Sequence, residues 1–332
     1  MSIKKTVMVI GLVALGIGGT ATYFVSQDDT AIEIKKVEKM PEEEQQAFLD
    51  TLLMKVSGSE KPSDVAKMLS EKVDGLNKDN ASEAVYLLMS SVAVEQGAQM
   101  ENFRVVSDGV ISAYNENQFK SGYHETYEKV EDKSVQGFLE ELKRQYLFLE
   151  DDGEGLYLSQ DLNRIEKEYE KYLNESVTAI LEVRLLNQDK PYVDAGQTAY
   201  DMDKMMERIL FIEGKKTVWQ ETIYEGEMLA LQEQAYMDFF GVTHDAYYEE
   251  KDGKLFMKED IKDKMYLLQA EYSNSFMGQE IIGFMDELEA DKFEKKDTQA
   301  FIYAQMQKRF AVETTEQAPI TLNQGEGEGE AE

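Results

Sequence analysis

The chain has 332 residues, no cysteine and a formal net charge of −31, from 66 acidic against 35 basic side chains. Without cysteine there is no disulfide framework and no thiolate nucleophile or metal ligand, and a body this acidic repels nucleic-acid phosphates, so no nucleic-acid partner is expected. A hydrophobic fraction of 42%, with 18 tyrosines and 15 phenylalanines, suffices for a sizeable core and excludes a wholly disordered chain.

The N-terminus carries the first organised signal. Lys4 and Lys5 precede an uncharged, largely apolar run from Thr6 to Val25, and Asp28 and Asp29 follow it. Twenty residues of helix span about 30 Å, the hydrocarbon thickness of a bilayer, and a single segment can satisfy its backbone groups in lipid only as a helix. Residues 1–27 are therefore predicted to be a signal-anchor transmembrane helix in contact with lipid through residues 6–25. The charge bias places the N-terminus in the cytoplasm and the body outside. The alternative is a secreted body, released by cleavage near Gly19-Thr20-Ala21. Ala14, Gly18 and Thr22 recur at a four-residue spacing, a small-residue face through which two such helices could associate; glycine is also common in membrane helices at large.

Residues 28–40 read as a spacer, and from Met40 to about Arg309 the pattern is helical almost throughout. Pro41 followed by Glu42, Glu43 and Glu44 marks a helix start, with acids facing the positive end of the helix dipole. Further helices are expected after Pro62, over 80–96 and over 100–119. The cleanest apolar stripe is Val135, Phe138, Leu139, Leu142, Tyr146 and Leu149, which predicts one helix over 133–150. Others are predicted over 161–187, over Met202–Phe211 to a stop near Gly214, over 219–240, and as a pair within 260–310. Extended signals are confined to Gly155–Leu158 and Lys254–Met257. The fold class is thus all-α: an N-terminal transmembrane helix followed by an elongated helical bundle or helical-repeat body. The expected divisions are a helical domain over 41–120, helical unit A over 121–240, helical unit B over 241–313, and a disordered acidic tail over 314–332, where NQGEGEGEAE has nothing to bury.

Units A and B carry hints of a diverged duplication, 122–213 against 241–313. Asp152–Leu162 resembles Asp252–Ile261 with one gap, and Ala199, Tyr200, Met205, Arg208 and Ile209 recur 101 residues later as Ala300, Phe301, Met306, Arg309 and Phe310. Repeated helical units bury their faces by stacking on neighbours.

No motif points to a reaction. His124 and His244 each precede an acid, but two histidines at such a distance more often sit satisfied in loops than hold zinc. The Asp-Gly stretches at 152–153 and 252–253 fail as calcium loops, because Phe148 and Tyr248 would occupy the first ligand position. With so many carboxylates, chance pairs are uninformative as a hydrolase signal; Glu182 and Glu207 are the acids worth following. No catalytic residue, metal or cofactor is expected. Tyr123, Tyr127, Tyr247 and Tyr248 form the candidate binding surface, since tyrosine joins apolar area to a polar handle; helix packing is the competing use. The methionines at 202, 205 and 206 pose the same choice between adaptable surface and core. The expected function is that of a membrane-anchored extracytoplasmic scaffold or accessory factor, non-enzymatic, binding another envelope or membrane protein and self-associating through the transmembrane helix. The alternatives are a chaperone-like secretion helper and a cell-wall glycan hydrolase with a carboxylate acid/base.

Overall fold

A computed structural model of the chain describes residues 39–122, 127–151, 153, 155–189, 200–273, 275–295 and 304. The described residues are mostly helical, with eleven α-helices and two short β-hairpins. The chain divides into two compact units: residues to Glu150 with Leu156–Asn174, and residues from Glu175 on together with Asp151–Gly155. That division falls inside the stretch 121–240, which the sequence presents as one unit. Among the described residues no helix is long and apolar enough to cross a membrane; Thr6–Val25, with Ala14, Gly18 and Thr22, lies outside them, as does the acidic tail.

Unit 1 is organised around one long helix. Helix α1 (Glu42–Ser57) starts behind Pro41 with its three glutamates in the first turn, and α2 (Pro62–Lys72) carries Pro62 at its start. Helix α3 (Lys78–Asn115) is continuous through the point where the sequence suggests two helices, and its 38 residues extend about 57 Å. Its N-terminal half buries Ala84, Val85, Leu88, Met89 and Val92 against α1 and α2. One buried amide fixes the α1–α3 pairing. Gln45 donates to the Met40 carbonyl at 2.7 Å and accepts from the Asn77 backbone and the Asn80 amide, each at 2.9 Å. Asn77 in turn caps α3 by accepting from the Asn80 N–H. Helix α4 (Lys133–Arg144), capped by Asp132, buries Val135, Phe138, Leu139 and Leu142 as their spacing predicts.

The helix predicted over 133–150 stops at Arg144, a local correction within a mostly helical chain. Tyr146 adopts φ +58, and Leu147–Asp151 forms strand β1, paired with β2 (Leu156–Gln160). Leu147, Phe148 and Leu149 are all buried, and a continuous apolar run serves a buried strand as well as a helix, so periodicity alone cannot separate them. Gln96 of α3 ties down β2, donating to the Leu158 carbonyl at 2.7 Å and accepting from Gln160 at 2.9 Å. Helix α5 (Leu162–Tyr169) follows, capped by Asp161, and passes through a 3₁₀ turn (Glu170–Tyr172) to an extended Leu173. The single helix expected over 161–187 is therefore two.

Unit 2 begins with α6 (Glu175–Asp189). Helix α7 (Met202–Gly214), capped by Asp201, leads through the short α8 (Lys216–Trp219) to α9 (Glu225–Phe239). The break at 220–224, with Glu221 at φ +60, splits the helix expected over 219–240. Strands β3 (Tyr248–Lys251) and β4 (Lys254–Met257) pair in antiparallel register from Tyr248↔Met257 to Lys251↔Lys254. Asp252 and Gly253, both at positive φ, make the two-residue turn that a right-twisted hairpin requires. Helices α10 (Glu259–Glu271) and α11 (Phe276–Ala290) complete the unit, and the chain then returns to bridge Phe256 through Glu294. Met202, Met205 and Met206 are core residues here, packed with Phe239, Phe240 and Phe284.

The two hairpins share one construction. In each, a buried tyrosine carbonyl just before the first strand accepts from the backbone N–H of the residue that opens the following helix: Tyr146 from Asp161 at 2.8 Å, and Tyr247 from Lys258 at 2.9 Å. Both stretches, 147–169 and 248–271, place a strand, a second strand and a helix in the same order. The later matches, from Ala300 to Phe310, fall outside the described residues.

Candidate functional site

A groove of about 1490 Å³ opens on unit 1, walled by α2, the C-terminal end of α4 and α5. Its chemistry departs from the rest of the chain. Lys67 comes from α2, Lys143 and Arg144 from α4, and Arg164 and Lys167 from α5, in a protein whose overall charge is −31. The spacing of each helix puts these side chains there. Val65 and Leu69 face the core from α2, turning Lys67 and Ser70 outward; Leu162, Ile165 and Tyr169 do the same for α5, leaving Arg164 and Lys167 on the open side.

Arg164 is held in a fixed pose. Its guanidinium carbon lies 3.8 Å from the centroid of the Tyr146 ring. Nε donates to Glu168 at 2.8 Å and Nη1 donates to the Lys143 carbonyl at 2.8 Å. The Tyr146 hydroxyl donates to the other Glu168 oxygen at 2.7 Å. Burial, with that hydrogen bond adding to it, pushes the Tyr146 hydroxyl far above its ordinary range, so it is a donor at all physiological pH. The left-handed turn at Tyr146 thus ends α4, starts the hairpin and floors the groove. Beside the groove, Lys61 donates to Glu141 at 2.6 Å, and Arg144 pairs with the same carboxylate; the Lys61 hydrogen bond leads the causes that hold the Glu141 carboxyl below its usual range. Of the lining acids, Glu168 is engaged by Arg164 and Tyr146, and Asp161 caps the Arg164 N–H at 3.0 Å. Sequence reasoning singled out none of the groove's basic residues, because each alone reads as a solvated helix position. The i,i+3 pair Arg164 and Lys167 and the adjacent Lys143-Arg144 are the only local signals.

The tyrosines expected at a binding surface lie elsewhere. Tyr127, Tyr247 and Tyr248 are 6%, 1% and 4% exposed, which corrects their reading as surface residues; Tyr123 lies outside the described residues. Tyr127 meets Phe119 edge-on at 6.1 Å. Tyr247 packs edge-on against His244 at 4.5 Å, and His244 stacks on Tyr200 at 3.5 Å. Tyr248 lies under the Lys295 ammonium, 5.0 Å from its ring centroid. Their apolar area is what the core uses, and burial raises the Tyr248 hydroxyl to about 12. His244 sets a ring nitrogen 2.9 Å from the Asp238 carbonyl, and burial lowers its pKa. Its proposed counterpart His124 lies outside the described residues. Among the described residues no group of three or more metal-ligating side chains is assembled. Glu182 pairs with Lys215 at 3.1 Å and Glu207 is exposed; neither lines the groove.

Comparison of the chain with protein families, with curated proteins and with solved structures finds no match.

Proposed function

We propose that the chain is a membrane-anchored extracytoplasmic accessory protein, and that the groove of unit 1 receives a segment of another envelope protein without chemical change. The observation that carries the reading is the groove itself. It is larger than the few hundred to roughly 1,000 Å³ typical of a small-molecule pocket, and its walls are helices rather than loops. A site on rigid elements holds a partner in one register. Its carboxylates favour binding over glycan hydrolysis. Glu168 is engaged by Arg164 and the Tyr146 hydroxyl, and Asp161 is committed to a helix cap, whereas a glycosidase requires two carboxyls free to flank the same bond. The anchor rests on Thr6–Val25 and on the charge asymmetry of Lys4 and Lys5 against Asp28 and Asp29.

The test is photo-crosslinking in intact cells from Ser70 and Asn163, which line the groove, with Lys129, exposed elsewhere on unit 1, as the control. The expected result is one recurrent envelope protein captured from both groove positions and not from Lys129. Many unrelated exported chains would favour the chaperone-like alternative, and equal capture from all three positions would refute the groove as the binding surface.

A further inference from the structure

We infer that the groove of unit 1 selects an acidic peptide segment, through carboxylates that bridge Lys67, Arg164 and Lys167. The inference rests on the groove being the partner surface proposed above, and it specifies the chemistry of what enters.

The argument is one of charge placement. Across the whole chain acids outnumber bases by almost two to one, so a surface helix would by default present carboxylates. Here three elements distant in sequence converge with the opposite sign. Lys67 and Lys167 have no ion-pair partner among the described residues. Arg164 is held over the Tyr146 ring, with Nε on Glu168 and Nη1 on the Lys143 carbonyl, which leaves Nη2 without a partner among the described residues. A guanidinium already held in one orientation loses little freedom on meeting a carboxylate and presents its donors in a fixed plane. Three carboxylates also line the groove: Glu168 is paired with Arg164, Asp161 caps α5, and Glu140 opposes this sign. Field strength decides between a short acidic peptide and an anionic envelope polymer. The body's own negative charge repels a long polyanion along its whole length, whereas a segment with two or three carboxylates meets only the basic patch, within roughly 10 Å of screening distance.

The experiment is fluorescence anisotropy on the full chain in detergent, with a labelled hexapeptide alternating Glu and Gly. The control peptide alternates Lys and Gly. Saturable binding of the acidic peptide is expected, weakened several-fold between about 50 and about 300 mM salt. The double reversal Lys67→Glu with Lys167→Glu should lower the affinity about tenfold or more, since two attractive contacts become repulsive. Lys78→Glu with Lys129→Glu changes the net charge equally, outside the groove, and should shift the affinity less than twofold or so. Both pairs replace exposed lysines, and an unchanged melting curve shows that the fold is intact. Three results would overturn the inference: no binding of the acidic peptide, equal losses in the two double variants, or tighter binding of a glycerol-phosphate polymer than of the peptide. If the peptide fails to bind while crosslinks from Ser70 and Asn163 persist, the groove remains the partner surface and only the acidic chemistry is wrong.

Discussion

Replacing Gly278 by alanine should destabilise unit 2 by about 3 kcal/mol. Gly278 is buried in the first turn of α11, where the chain reverses out of α10. A Cβ built there lies 2.1 Å from the Tyr272 carbonyl oxygen, 2.6 Å from its carbon and 3.1 Å from the Ser273 Cα. Uncrowded heavy atoms sit roughly 3.5 Å apart, so one segment must move by more than about 1 Å, and all three obstacles are backbone. Moving the turn pulls Ser275 away from its capping bond to the Gly278 N–H at 3.1 Å and from the Tyr272 carbonyl at 2.7 Å. A lost cap costs about 1 kcal/mol. Moving the helix instead displaces Met277, Ile281 and Phe284, all fully buried, and overpacking of that kind costs about 1–3 kcal/mol. The assay is urea unfolding of the body from Lys39 onward, followed by circular dichroism and by tryptophan fluorescence from Trp219, which reports unit 2. The matched control is Gly137→Ala in α4, where a Cβ meets nothing within 4 Å and the helix should gain about 0.5–1 kcal/mol. A loss below about 1 kcal/mol for Gly278→Ala, or equal effects of the two substitutions, would refute the close approach of the turn to α11.

Gln45→Leu should cost unit 1 about 2–3 kcal/mol, because the Asn77 N–H and the Met40 carbonyl lose their buried partner while the volume is kept; chemical denaturation checks this, and a neutral result would mean that the clamp is dispensable. His244 is held neutral by burial, so its folded pKa lies below the unfolded value near 6.5. Its share of stability is complete above that value and is lost as pH falls through it; between about pH 7 and pH 5 the His244→Phe variant should lose less stability than the parent. Tyr248 has the opposite sense: its folded pKa of about 12 exceeds the ordinary 10.0, so its contribution holds below pH 10 and declines as pH rises from there towards 12. Tyr248→Phe should flatten that decline in an alkaline unfolding series. Deleting residues 1–27 should move the body from the membrane pellet to the soluble fraction; retention in the pellet would refute the anchor.

Much of the helical body is legible in the sequence, because an amphipathic stripe is a local property. Val135, Phe138, Leu139 and Leu142 predict α4 whatever surrounds them, and Asp132, Asp161, Asp201 and Ser275 cap their helices through the next few residues alone. The elongated apolar run and flanking charges at the N-terminus are equally local, and so is the Asp-Gly turn of the second hairpin. Breaks were less legible. Leu147–Leu149 continues the apolar character of α4 and becomes a strand because Tyr146 turns left-handed, a choice fixed by the closing bond from Asp161 and the seat of β2 on Gln96. Tyr247 is core for the same reason: whether its ring meets water or packs against Tyr200 depends on a residue far along the chain. The groove lay beyond the reach of the sequence altogether. Lys67, Arg144 and Arg164 each look like ordinary solvated helix positions, and their sum becomes a basic surface only when the packing of Val65, Leu142 and Ile165 brings three helices together. Sequence determines what a short segment does with its own neighbours; the sign and shape of a surface are set by residues far apart in the chain, which only tertiary packing brings within Coulomb range of one another.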